Sequence, residues 1–387
     1  MRSKSNLALH IGLATLVISF VFTLIPWRDR VQSPGSGEWV TGTILEPLGS
    51  DVSSFAISPE EEVPASWTSG WAESLRSSGT ANISSQPNDV VAERGLISVL
   101  RSLETETILA VIAAAIGGLI CGVTRWWRLL RLCGVQTSFR TAARLTLLGL
   151  FFSLVLPGLT GGDIIKAGVA AKENPGRRPA AILAVALDRV LGLWVLLWIG
   201  AICSLAFGGE LAVVAVPLVA LATTSTLALT VVFIPALRNR LGARLLARLV
   251  PKKLSGAFDA LRACTSNPAE LLMALLLSLG NHLCVGLGVF AVAHGVGDSM
   301  SFIGCLTASA VANSLSAIPL APGGWGVGEA AYAAMFSLLG STEAIGYAVS
   351  LGTRLCMTLI SFLSGFVIWR SGGMADWKSP VIDSEPH

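Results

Sequence analysis

Leu156-Pro157-Gly158-Leu159-Thr160-Gly161-Gly162-Asp163 interrupts one apolar run, and Pro322-Gly323-Gly324-Trp325-Gly326 interrupts another. Proline removes a helical hydrogen bond and glycine weakens a helix, so both runs break in the middle. Charges flanking the runs fix where the chain must go. Arg140 precedes the first break and Lys172 follows it, while Asp298 and Glu343 bracket the second. Basic loops stay on the cytoplasmic side of a membrane. The first run therefore enters and returns on the cytoplasmic side. The second does so on the opposite side. Two broken hairpins, one from each face, follow.

The breaks share one register. Pro157 to Pro322, Gly158 to Gly323, Gly161 to Gly326 and Arg189 to Arg354 are each 165 residues apart, and Asp163 to Glu329 is 166. The arginine match carries most weight, because charged residues are rare within spans. Each half, about 107–207 and 269–370, reads as a helix, a broken hairpin, an acid and a helix bearing a buried arginine. The flanking charges give the halves opposite orientation. Inverted repeats with interrupted segments at matching places point to a midplane binding site.

Composition agrees. Charged residues make up 13% of the 387, apolar residues 53%, and the mean hydropathy is +0.69. A soluble domain carries about 25% charged residues. The chain is thus read as an all-α polytopic membrane protein, neither a soluble enzyme nor a disordered chain. Residues 1–27 read as a first transmembrane helix, with Leu7–Pro26 retained rather than cleaved. Residues 28–106 hold twelve acidic and five basic residues. They read as an acidic, largely flexible extracytoplasmic loop, able to take a protein partner. Spans are expected at Ile108–Val123, Thr141–Leu156, Ala180–Phe207, Leu211–Pro235, Leu271–Ala293, Phe302–Pro319, Ala330–Leu339 and Ala344–Trp369. The first and third basic blocks, Arg125 to Arg144 and Arg238 to Lys253, contain no acid. With Arg370 and Lys378 for the C-terminal end, they place both termini, including the tail 371–387, on the cytoplasmic side.

Asp188, Arg189 and Arg354 fall inside spans, where a charge costs at least about 2.5–3.5 kcal/mol. Neighbouring helical residues point about 100° apart, so Asp188 and Arg189 need separate partners. Asp163, Lys166 and Glu329 are the candidates. One reading makes all six charges ion pairs that lock the bundle. The other turns the arginines toward a substrate. Asp163 and Glu329 also suit the first turn of a short helix, as caps. Gly161, Gly162, Gly323 and Gly324 would leave backbone N–H groups at such half-helix starts, where an anion binds well. His282 and His294, twelve residues apart on one span, read as ordinary polar residues. Trp27, Trp126, Trp127 and Trp369 read as interface anchors. The seven cysteines form no CxxC pair and read as small buried apolar residues. No zinc, nucleophile-elbow or phosphate-loop motif is present. No metal, cofactor or nucleic acid is expected.

The set Arg125-Trp126 through Leu130, Leu156-Pro157-Gly158 with Gly161-Gly162-Asp163, Asp188-Arg189-Val190 with Gly192, Ala321-Pro322-Gly323-Gly324 with Gly326 and Glu329, and Arg354 resembles the lysylphosphatidylglycerol synthase transmembrane-domain family, also called flippase-like membrane proteins. The likeness spans about residues 108–370. It implies movement of an anionic or head-group-modified phospholipid, or of a polyprenyl-linked glycan, between leaflets of the bacterial inner membrane. The alternative is an intramembrane enzyme, or an accessory subunit, in lipid-linked sugar or envelope lipid synthesis. A third class is a scaffold acting through residues 28–106. The sequence carries no soluble aminoacyl-transferase domain like that of the bifunctional relatives, so it is expected not to be an enzyme. Two positions depart from the family pattern. Lys166 stands where arginine is usual, and Gly328 stands where an arginine precedes the glutamate. The missing cation beside Glu329 points to a different head group.

Overall fold

The computed structural model describes residues 27–33, 38–44, 54–58, 61–82, 91–93, 95–101, 103–153, 161–233, 267–317 and 326–370. The expected first helix, the break residues Pro157–Thr160, Gly323 and Gly324, the basic block 238–253 and the tail 371–387 lie outside them. Among the described residues, five helices are long and apolar enough to cross a membrane. They are α3 (Thr105–Leu132), α6 (Arg178–Phe207), α7 (Ala212–Phe233), α8 (Pro268–Gly295) and α11 (Glu343–Arg370). Between them lie the shorter α4 (Phe139–Ser153), α5 (Gly161–Glu173), α9 (Phe302–Ser316) and α10 (Val327–Leu338). At about 1.5 Å per residue, a 15-residue helix such as α4 or α9 falls short of the bilayer core. A broken hairpin requires this. The apolar run after Arg140 is thus two short helices, α4 and α5, not one span.

The internal repeat is visible element by element. Helices α3 to α6 run 28, 15, 13 and 30 residues, and α8 to α11 run 28, 15, 12 and 28. Their packing is reciprocal: α4 lies on α11, as α9 lies on α6. At the centre α3 crosses α8. A Cβ on Gly117 would stand 3.1 Å from Cys284 Sγ, and one on Gly280 would stand 3.3 Å from Cys121 Sγ. Gly117 and Gly280 are 163 residues apart, and so are Cys121 and Cys284. Each residue thus meets the repeat-mate of its own neighbour, the signature of a two-fold axis between the helices. Further along, Gly288 meets Ala114 and Gly295 meets Thr107. Numbers rise on α8 as they fall on α3. The two helices are antiparallel, so the repeats are inverted.

Two apolar cores follow the repeat. One joins α3 to α6 through Trp126, Leu129, Leu145, Ala181 and Leu191. The other gathers Val289, Val292, Val311, Tyr332, Phe336 and Val349 from α8 to α11, with Leu197 of α6 and Leu218 of α7.

The expectation of a largely flexible 28–106 loop is corrected. β1 (Asp29–Gln32), β2 (Trp39–Ile44), β3 (Ser54–Ile57), β4 (Thr80–Asn82) and β5 (Val91–Glu93) form an antiparallel sheet in the order β4-β3-β2-β1-β5. The cross-strand partners Val31 and Val40 pack with helix α1 (Gly70–Ser78) in one small core that buries Trp67, Trp71 and Leu75. The two indole rings pack 5.2 Å apart. Asp29, itself buried, accepts from the N–H of Ile44 at 2.8 Å and of Gly95 at 2.7 Å. One carboxylate thereby ties the chain's entry into the sheet to its exit. A short helix α2 (Leu96–Arg101) then packs on α11.

Candidate functional site

Each half supplies the same pair of charges from the same two elements. In the first, Asp163 sits on the opening turn of α5 and pairs with Nε of Arg189 on α6. In the second, Glu329 sits on the opening turn of α10 and pairs with Arg354 Nε on α11, at 2.8 Å. The two candidate partners of the arginines are therefore found where the repeat puts them. Glu329 does a second job. Its Oε2 accepts from the N–H of Gly326 at 2.6 Å, closing the first turn of α10. Gly326 has φ +85°, a left-handed backbone that a side chain would strain.

The short helices approach their hairpin partners at glycine. A Cβ on Gly162 would stand 2.0 Å from the carbonyl oxygen of Gly149 on α4, with Ser153 Cβ also near. A Cβ on Gly328 would stand 2.0 Å from Arg354 Nη2 and 2.8 Å from Ser316 Oγ. Ser153 and Ser316 end the two pre-break helices at equivalent positions. Gly328 thus leaves room that the Arg354 guanidinium itself fills. Gly161 opens α5 beside Gly162.

The first half carries three further residues. Asp188 is buried on α6, one position before Arg189 but on another face. Arg125 Nε donates to its Oδ1 at 2.7 Å, and Lys166 Nζ stands 3.8 Å from its Oδ2. Arg125 Nη1 also donates to Ser278 Oγ of α8 at 2.9 Å. Lys166 lies 3.8 Å above the Trp126 ring, a cation–π contact. Beside this group His282 Nε2 meets the Gly192 carbonyl at 2.9 Å. A carbonyl only accepts, so that nitrogen carries a proton. Gly192 packs against Arg125 as well, 3.2 Å from its Nη1 for a built Cβ.

Arg125 and Trp126 are the residues that reading by segment misplaces. Arg125 is expected in a cytoplasmic connecting block, and Trp126 at an interface. Instead α3 continues to Leu132, and both are buried, Trp126 fully. The available signal was helical phase: Arg125, Leu129 and Leu132 recur at helical spacing. His294 lies apart, stacked on Phe290 at 4.2 Å. Among the described residues, no group of three or more metal-ligating side chains occurs. Among the described cysteines, Cys133 and Cys305 are buried.

The two pairs differ in exposure. The Arg189 side chain is 53% exposed, that of Arg354 19%. The Arg189 guanidinium uses Nε on Asp163, which leaves its two terminal nitrogens as further donors. Such a fork suits a carboxylate or phosphate. A family model described as the lysylphosphatidylglycerol synthase TM region matches residues 91–365 of the chain, the stretch that holds every residue of both sites. No curated protein matches it.

Proposed function

The chain belongs to the lysylphosphatidylglycerol synthase TM region family, and from that premise we propose that this multi-pass membrane protein carries an anionic or head-group-modified lipid between leaflets. The observation that carries the reading is the repeated pair. Asp163–Arg189 and Glu329–Arg354 stand at equivalent positions of inverted halves, each at the start of a helix that follows a break. A phosphate moving through hydrocarbon needs a cation at depth, because an unpaired charge there is prohibitively costly. Each arginine is held by a carboxylate when its site is empty and exchanges that carboxylate for the lipid phosphate. Inversion opens the two sites toward opposite faces, so the head group passes from one arginine to the other. Lipid-linked glycans, whose phosphates offer the same chemistry, fall in the same substrate class. We place the protein in a bacterial inner membrane on the family likeness, and both termini on the cytoplasmic side from the charge distribution of its loops.

The test is transfer of labelled phosphatidylglycerol across reconstituted vesicles by wild type and by Lys and Gln variants at positions 189 and 354. Lysine keeps the charge and loses the fork. The expected order is wild type, Arg→Lys, Arg→Gln at each site, per folded molecule. Normal transfer by both Gln variants, with reduced melting temperature, would leave the arginines a purely structural role and sink the reading. Recovery of chemically altered lipid would point to an intramembrane enzyme instead.

A further inference from the structure

The two half-sites are unequal in charge. In the first, three cations, Arg125, Lys166 and Arg189, face two carboxylates, Asp163 and Asp188. In the second, Arg354 and Glu329 stand one to one. The repeat register shows where the difference arises. Lys166 corresponds to Tyr332 at 166 residues, Arg125 to Gly288 at 163, and Asp188 to Thr353 at 165. One anion and two cations of the first half thus meet neutral residues in the second. Neither break supplies a hidden counter-ion, since residues 154–160 and 318–325 contain no ionisable side chain. His282 is the other titratable group packed on this cluster, and it adds no negative charge.

The surplus falls on Lys166. Asp188 gives its short bond to Arg125 at 2.7 Å, leaving the Lys166 ammonium 3.8 Å from the second oxygen. Its other contact is the Trp126 ring, at 3.8 Å. Lys166 is 5% exposed. Among the described residues its ammonium has no hydrogen-bond acceptor closer than that carboxylate. A buried cation without a full counter-charge is costly, and an incoming anion removes the cost. Arg189 of α6, paired with Asp163 three residues before Lys166 on α5, offers the complementary donors.

We propose that the first-half site is the loading site for a phosphate-bearing anion, with Lys166 as the residue that fixes its preference, while the second half takes the anion only transiently. This deepens the transport reading and rests on it for the fate of the anion, but it is tested by binding alone. Purified full-length chain in non-ionic micelles is titrated with phosphatidylglycerol, with phosphatidylcholine and with inorganic phosphate. Wild type and Lys166→Arg should bind phosphatidylglycerol alike. Lys166→Met should bind it about tenfold more weakly or worse, the loss of one charge-assisted contact. Ser278→Asp places the missing negative charge beside Arg125 Nη1, so it should weaken binding as well. In lipid-free micelles both variants should melt at or above the wild-type temperature, because Lys166→Met removes the uncompensated charge and Ser278→Asp balances it. Displacement of the lipid by inorganic phosphate assigns the site to the free anion, and retention assigns it to the lipid head group. Wild-type affinity in both Lys166→Met and Ser278→Asp overturns the inference. Should one variant fail to fold, the other decides. Strong binding by a protein that transfers no lipid would overturn the transport reading and leave this one standing.

Discussion

The guanidinium of Arg354 occupies the space a side chain at position 328 would need: a Cβ on Gly328 would stand 2.0 Å from Nη2. Arg354 is fixed on two fronts, by Glu329 at 2.8 Å and by this glycine. Its position is therefore set by the backbone of α10 as much as by charge.

Gly328→Ala should push the guanidinium off Glu329. Overpacking a tight site costs about 1–3 kcal/mol, read as a lower melting temperature in detergent. In an Arg354→Gln background the same alanine should cost less, because the clash partner is shorter. A double-mutant cycle with no coupling between the two positions would contradict the geometry.

The carboxylates on α6 and α5 should respond differently to neutralisation. Asp188→Asn strands two buried cations, Arg125 and Lys166, and breaking a buried pair costs about 3–5 kcal/mol. Asp163→Asn releases Arg189, which is 53% exposed. A pair that water reaches contributes about 1 kcal/mol or less, so the loss at the open Arg189 site should be the smaller of the two. Thermal unfolding of the two variants side by side checks the ranking, and equal destabilisation would contradict it.

How far the sequence led follows from which signals are rare. Pro157, Pro322 and the arginines at 189 and 354 stand out within apolar runs, so the register and the acid–arginine pairs were legible. Asp188 was also right in needing its own partner. Lys166, one of the expected candidates, does stand beside it, but its closest partner was missed because Arg125 borders Trp126-Trp127-Arg128 and reads as the end of a span, whereas α3 runs on through it. The sheet was missed for another reason. Its strands are three to six residues long, too short for alternation to show against an acidic background. Its apolar face exists only once Trp67 and Trp71 close over Val31 and Val40.

That small core should be a unit of its own stability. Trp71→Ala removes a fully buried ring, and such truncations cost about 3–5 kcal/mol. Limited proteolysis should then cut within 27–95 while the helical bundle keeps its melting temperature. Asp29→Ala should act in the same direction, freeing the N–H groups of Ile44 and Gly95. Unchanged protease resistance of both variants would show that the sheet does not depend on this core.

The last prediction concerns motion. Cys121 of α3 packs on Gly280 of α8, and Cys284 of α8 packs on Gly117 of α3. They meet across the pseudo-two-fold axis, where Gly117 and Gly280 let the helices approach. When one half of an inverted repeat rocks against the other, displacement is least near that axis and grows away from it. The contact between α4 and α11, where Ser364 Oγ donates to the Leu147 carbonyl at 3.0 Å, is off the axis. Consider a chain in which the other five cysteines are replaced by alanine. Oxidation with copper phenanthroline should join Cys121 to Cys284 within one chain and leave lipid transfer near its starting rate. In a second background lacking these two cysteines, Leu147→Cys with Ser364→Cys should cross-link too, and there transfer should stop until a reductant is added. If the axial cross-link stops transfer as completely as the peripheral one, α3 and α8 slide during transport and the axis is not the pivot.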